Sequence, residues 1–429
     1  MGDYLFKRLF LLINLILILV FLTFTELKQN IKTFININDF IQNNHHDYTK
    51  EIQDVLSNGN NSVIFFPPIE GVYRITDTLI LPKNVTIFLG DSITYEGEVA
   101  KNLFRAKEFE NIKIISINNA SIDGGNVNST LKPSDGTKSN SGGVYLSNSY
   151  KKGSISIEGV KIENTFGPAL VIDNANSIKI NSYTAKDIGR GNINTKYAGE
   201  SLVIKNSNNV NVNGFTAINT TDGMGILLSE NVKLFNLIFI NCAIGPSISA
   251  SQNVLIDNVN IVNPLIRGID SVSWSNLSDD LNYGSKNLII RSAVIESNAI
   301  EVDGNMYRGN GIAIDSTDNA SIDAEINGAK NALTINRNYL SNKILPEKNG
   351  SITINLKIND YRETGVILSA VEKITGKIEF NNNNNLTHLN ENDINFFVSN
   401  NENSINDIKM KIKKNKDIFN IINFFEKGK

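Results

Sequence analysis

NTTDGMGILLSENVKLFNLIFINCAIGPSISASQNVLIDNVNIVN, residues 219–263, states the same plan twice and begins it a third time. Each copy opens on Asn, turns a short corner, runs an alternating strand, turns a polar corner often ending in Asn, and runs a second alternating strand. Asn219, Asn241 and Asn263 are spaced by 22 residues. NTFGPALVIDNANSIKI from Asn164, NPLIRGIDSVSWSN from Asn263, NGAKNALTINRN from Asn327 and NDYRETGVILSAVEKIT from Asn359 follow the plan, the interval from Asn327 to Asn359 being 32 residues. These runs are short, β-branched and of period two, which is the pattern of strands. Helical solenoids would show period 3.6, and the L-x-x-L-x-L frame of leucine-rich repeats is absent.

Strands recurring every ~22 residues with polar corners predict a parallel β-helix, each coil burying its inward face on its neighbours. Asn at matched corners can hydrogen-bond to the coil above and below. The alternation places Leu170 and Ile172, Leu202 and Ile204, Met224 and Ile226, Pro246 and Ile248, and Ile312 and Ile314 inward. Val171, Val203, Gly225, Ser247 and Ala313 then face outward. Pro246 is the poorest fit to mid-strand.

A solenoid needs its ends covered. HDYTKEIQDVLSNGN, from His46, reads as a helix with Asp47 or Thr49 as N-cap, Gly59 past its end and Ile52, Val55 and Leu56 as its apolar face. Three short strands follow in SVIFFPPIEGVYRITDTLILPKNVTIFLGD, residues 62–91, punctuated by Pro67-Pro68, Gly71 and Pro82.

The chain has 429 residues and a net charge of −3, so it carries no electrostatic footprint for nucleic acid. One cysteine, Cys242, excludes an intramolecular disulfide. The three histidines, His45, His46 and His388, lie in polar segments near the ends and make no histidine-rich metal site. At the N-terminus, Lys7 and Arg8 precede an apolar run from Leu9 to Phe24. That length approaches the ~20 residues of a membrane span and exceeds the usual ~7–15 of a signal-peptide core. Residues 1–30 are therefore expected to anchor the chain in the inner membrane with the bulk outside the cytoplasm, secretion after cleavage being the alternative. Such an anchor argues against a phage tailspike. The expected organisation is anchor (1–30), linker and capping helix (31–61), β-helix (62–380), then irregular last coils and a C-terminal cap (381–429).

The order Ile52-Gln53, VIFFPPIEGVYRI, LILPKNVTIFLG and then NIKIISINNASIDGG (111–125) resembles the N-terminal region of the pectin-lyase-like superfamily. The resemblance covers residues 47 to about 380. It implies an all-β fold, a right-handed parallel β-helix behind a capping helix, to which the N-terminal apolar run adds an expected transmembrane anchor helix. Superfamily enzymes bind extended polysaccharides along a groove, so the implied partner is a glycan, possibly one containing uronic acids. The superfamily also holds proteins without chemistry.

Insertions break the rhythm at 187–200, 273–286 and 298–310. Long loops on a regular scaffold usually carry function. Hydrolysis needs paired carboxylates, for which Asp222, Asp270 and Asp315 are candidates. NTTDG at 219–223 is similar to the N-T-D-G of polygalacturonases, with Asp222 matching its aspartate. The following coil lacks that family's Asp-Asp, and no G-H-G occurs. Elimination or epimerisation needs a base and a group that neutralises the sugar carboxylate, for which Arg190, Lys196 and Tyr197 are candidates. The D-P-H-D motif of alginate epimerases is missing. Arg267, Trp274, Tyr307 and Arg308 are candidate substrate-binding residues, Trp274 either as a sugar-stacking platform or as packing at the core edge. No cofactor or metal is expected, although Asp279-Asp280 could contribute to a calcium site. The sequence leaves lyase, epimerase, hydrolase and non-catalytic glycan binding or a structural role open, and leaves the oligomeric state undetermined.

Overall fold

Alternating apolar residues with polar corners cannot bury a face alone, and here they do so by stacking. The computed structural model describes residues 33–41, 47–125, 142–189, 199–272, 274–275, 282–302, 305–315, 317–336, 349–368, 371–381, 394–396, 407–414 and 417–422. The apolar run Leu9–Phe24 lies outside them. Among the described residues no helix is long and apolar enough to cross a membrane.

One coil shows the construction. Asn208–Ile218 is a long strand, Asn219 turns the chain in the left-handed region, Asp222–Leu227 is a short strand, and Leu228 turns it again into Glu230–Ile240. Long strands stack into a 19-stranded sheet and short ones into a 12-stranded sheet running from Leu79–Ile80 to Ile394–Phe396. Pairing between coils is parallel and in register, with Leu170 beside Leu202 and Met224 beside Pro246. Parallel pairing continues to Asp407–Lys414, and Asp417–Ile422 then returns antiparallel along it. At the other end, Thr33–Asn36 adds a strand beside Ser62–Phe66, ahead of the predicted first coil.

The inward residues named from the sequence are all buried. Each fully buried Ile or Leu is worth ~2 kcal/mol against exposure. Tyr183, Phe215 and Phe239 stack on successive coils inside, at ring separations of 5.3 and 5.6 Å. Pro246 holds an inward place in mid-strand, and pairing to the following coil skips it, as a residue without an N–H requires. Helix Thr49–Asn58 buries Ile52, Val55 and Leu56, and Asp47 accepts from the Thr49 N–H at 3.0 Å.

The corners explain the abundance of Asn in two ways. Asn164, Asp187, Asn219, Asn241 and Asn263 all have φ between 53° and 55°. Asn and Asp enter that region more readily than other side chains with a Cβ. Their amides also form a ladder, Asn263 donating to Asn241 and Asn241 to Asn219, each at 3.2 Å. A second ladder the sequence reading missed is made of serines: Ser207, Ser229 and Ser251 are fully buried, and each hydroxyl accepts from the backbone N–H of the preceding coil.

Candidate functional site

On the outward face of the 12-stranded sheet, one column runs Val171, Val203, Gly225, Ser247, Asp270, Ala313. Asp315 belongs to the next coil, two residues further along its strand than Ala313. Outward-facing Asp270 and Asp315 therefore sit diagonally across one coil step, and they are only 4% and 6% exposed.

Arg267 joins them. Its Nη1 donates to Asp270 Oδ1 at 2.7 Å and lies 3.9 Å from Asp315 Oδ2. Strict alternation would put positions 267 and 270 on opposite faces. The R-G-I-D turn escapes it because Gly268 and Ile269 both face inward: Ile269 is fully buried, and a Cβ at Gly268 would meet the side chain of Ile295. Gly268 stacks between Gly245 and Gly311, where one backbone approaches the next closely. This column of small residues was the signal in the sequence that could have paired Arg267 with Asp270.

Burial pushes the Asp315 carboxyl up to about 6; Arg267 opposes this and the charge of Asp270 adds to it. Burial raises Asp270 as well, against the pull of Arg267 and its hydrogen bond. Both contacting oxygens reach one nitrogen, so they are no further apart than the sum of the two distances. The two carboxyls are therefore close neighbours, as in the paired carboxyls of glycosidases.

The other candidates are placed differently. Asp222 opens strand Asp222–Leu227, bridges Glu200 through the backbone, and stands in register with Ile244 and then Arg267. It is two coils, ~10 Å, along the same face from Arg267, so the structure does not bring it into the pair. Arg308 donates through Nη1 to the Gly328 carbonyl at 2.7 Å, which ties one end of its guanidinium to the backbone. Tyr307 is half-buried in a hairpin, Ile300–Val302 with Asn305–Tyr307, that leads into the strand of Asp315. Trp274 pairs through its backbone with Tyr283 in a second hairpin, at the exit of the strand of Asp270. Arg190, Lys196, Tyr197 and Asp279-Asp280 lie outside the described residues. Among the described residues no group of three or more His, Cys, Asp or Glu is placed to hold a metal. Cys242 is buried beside Thr220, with its thiol pushed up to about 11 by burial, and it packs the core.

No protein-family model matches the chain, and no curated protein matches it. Solved structures do. A polygalacturonase from Erwinia carotovora ssp. carotovora is 12% identical with a TM-score of 0.52, over 90% of this chain and 99% of that one. The catalytic domain of a GH87 alpha-1,3-glucanase in complex with tetrasaccharides is 12% identical with a TM-score of 0.54, over 91% and 70%. The tailspike protein of E. coli bacteriophage HK620 in complex with a pentasaccharide is 10% identical with a TM-score of 0.54, over 90% and 84%. The chain shares the parallel β-helix fold of these structures.

Proposed function

We propose that the chain is a polysaccharide hydrolase, with Asp315 as general acid and Asp270 as the ionised partner. The observation that carries this is the buried Asp270–Arg267–Asp315 cluster on the outward face of a β-helix. Glycoside hydrolysis needs one protonated and one ionised carboxyl; burial raises both here, Asp315 to about 6, and Arg267 donates a hydrogen bond to Asp270. Asp315 gives its proton to the leaving glycosidic oxygen as the C–O bond breaks. Asp270 either takes a proton from the attacking water or attacks the anomeric carbon itself. The glycans in the descriptions of structurally similar proteins support a glycan as partner. Elimination or epimerisation would fall to Arg190, Lys196 and Tyr197, which lie outside the described residues.

The same burial favours a second reading, in which the cluster is a structural ion pair on a non-catalytic glycan-binding β-helix. One experiment separates the two. The full chain is incubated with a panel of polysaccharides while reducing ends and the ultraviolet absorbance of unsaturated uronates are followed. Reducing ends without new absorbance, reduced ~10²–10⁴-fold in Asp315→Asn, support hydrolysis. Retained binding with neither signal supports the second reading.

We also read helix Thr49–Asn58 as the cap of the first coils and residues 1–30 as a membrane anchor, which sets the β-helix in an envelope compartment where glycans are processed. Membrane fractionation of the full chain, with and without residues 1–30, tests the anchor.

A further inference from the structure

We infer that Arg105, stacked on Tyr145, forms a second glycan subsite, which takes an anionic sugar substituent, a carboxylate or a sulfate, well away from the Asp270–Arg267–Asp315 cluster. The inference rests on reading the outward face of the 12-stranded sheet as a glycan track, and on the hydrolase reading for what happens at the cluster. In strands Phe104–Lys107 and Val144–Ser147 the alternation sends Phe104, Ala106, Val144 and Leu146 inward and Arg105 and Tyr145 outward. The two stand in register across one coil step, and the guanidinium carbon lies 5.6 Å from the centre of the Tyr145 ring. That contact is within cation–π range and holds the guanidinium against the ring.

What the stack leaves over points to a ligand. The Arg105 Nε–H is buried and has no hydrogen-bond partner, although Arg105 as a whole is only half-buried. A buried donor without an acceptor is costly and rare in a native protein. Nε–H and the neighbouring Nη–H form the edge of the fork that meets two oxygens of a carboxylate or sulfate. No described carboxylate fills that place. Asp173, Asp77 and Glu108, at the ends of this and the adjoining strands, are matched to lysines instead: Asp173 to Lys205 at 3.6 Å, Asp77 to Lys101 at 2.8 Å, and Glu108 to Lys152. Lys107, exposed and outward on the strand of Arg105, adds positive charge. Ile80 flanks Arg105 on the other side at 49% exposure, and with the half-buried Tyr145 it gives a sugar ring apolar surface.

The subsite is aligned with the cluster. From Arg105 the outward column runs Tyr145, Val171, Val203, Gly225, Ser247 and Asp270, six coil steps. At ~4.8 Å per step the two places are about 29 Å apart. The four residues between them carry short side chains. Only a long, extended glycan touches both ends.

The test measures binding of polygalacturonate, dextran sulfate and uncharged dextran to the full chain, at low and at high salt, for wild type, Arg105→Gln and Arg105→Lys. Reducing ends are followed in parallel for wild type. The expected result is binding of polygalacturonate or of dextran sulfate, the one that binds naming the group. That binding should weaken about tenfold or more in Arg105→Gln, less in Arg105→Lys, which keeps the charge without the fork, and should weaken with salt in wild type. Anionic binding as tight in Arg105→Gln as in wild type overturns the inference, as does failure to bind either anionic polymer. Neither result touches the hydrolase reading. Binding that follows Arg105, with no reducing ends from any polymer, upholds the subsite and counts against the hydrolase.

Discussion

Burial at 6% exposure raises the Asp315 carboxyl to about 6, with Asp270 adding to the rise and Arg267 opposing it. Two measurements follow. On the proposed hydrolase reading, activity should fall as pH rises through about 6, where Asp315 ionises. Stability should follow the same group. Folded Asp315 holds a proton up to about 6, whereas an unfolded Asp loses it near ~3.9. Folding therefore takes up a proton between those values, and this contribution is present below them and lost as pH rises through about 6. Asp315→Asn should flatten the fall in urea resistance between pH 4 and 8 by about 2–3 kcal/mol. An unchanged slope would mean that Asp315 is ionised throughout. Asn241 makes a second case. It has φ 53° and stands in the ladder between Asn219 and Asn263. Asn241→Ala should cost about 2–4 kcal/mol, from the left-handed strain and the lost bonds, and Asn241→Gly about 1–2 kcal/mol, from the bonds alone. Denaturation midpoints of the two variants separate the causes.

Elements of this chain are specified by periodicity, and their irregularities by small residues. The short strands keep Gly223, Gly245, Gly268 and Gly311 in one column, where a methyl group at Gly245 would overlap the carbonyl oxygen of Gly268. Gly245→Ala should cost about 1–3 kcal/mol by overpacking, and it should shift the neighbouring strand that carries Arg267 and Asp270, so the proposed glycan hydrolysis should fall along with thermal stability. Loss of stability alone would mean that the neighbouring strand holds its place. The Asn ladder also shows where an element boundary is enforced. It runs as far as Asn263, whose buried Oδ1 has no hydrogen-bond partner. In the following coil Ser297 donates to the Gly309 carbonyl instead, where the chain leaves for the hairpin of Tyr307.

For the whole molecule, stability is a sum over coils and their interfaces, since each coil pairs only with its neighbours. Ile256→Ala, in a fully buried place on a long strand, should therefore act locally. Amide hydrogen exchange should rise in that coil and those beside it and stay unchanged in the coil of Ile354. A uniform rise along the solenoid would show that the coils unfold as one unit.

The sequence by itself determined the solenoid, its coil length, its inward columns and the ladder of Asn corners. These follow from period-two alternation and a 22-residue spacing, which are local properties that repeat. It also placed Asp270 and Asp315 among the candidates by residue type. Only the tertiary structure decided that these two share Arg267 while Asp222 stands two coils away, and that Arg308 bonds to a backbone carbonyl. Those relations depend on which residues of successive coils come into register and on a glycine column that turns two consecutive residues inward. The inserted loops shift the count between coils, so that 45 residues separate Asp270 from Asp315 in the chain while a single coil step separates their strands.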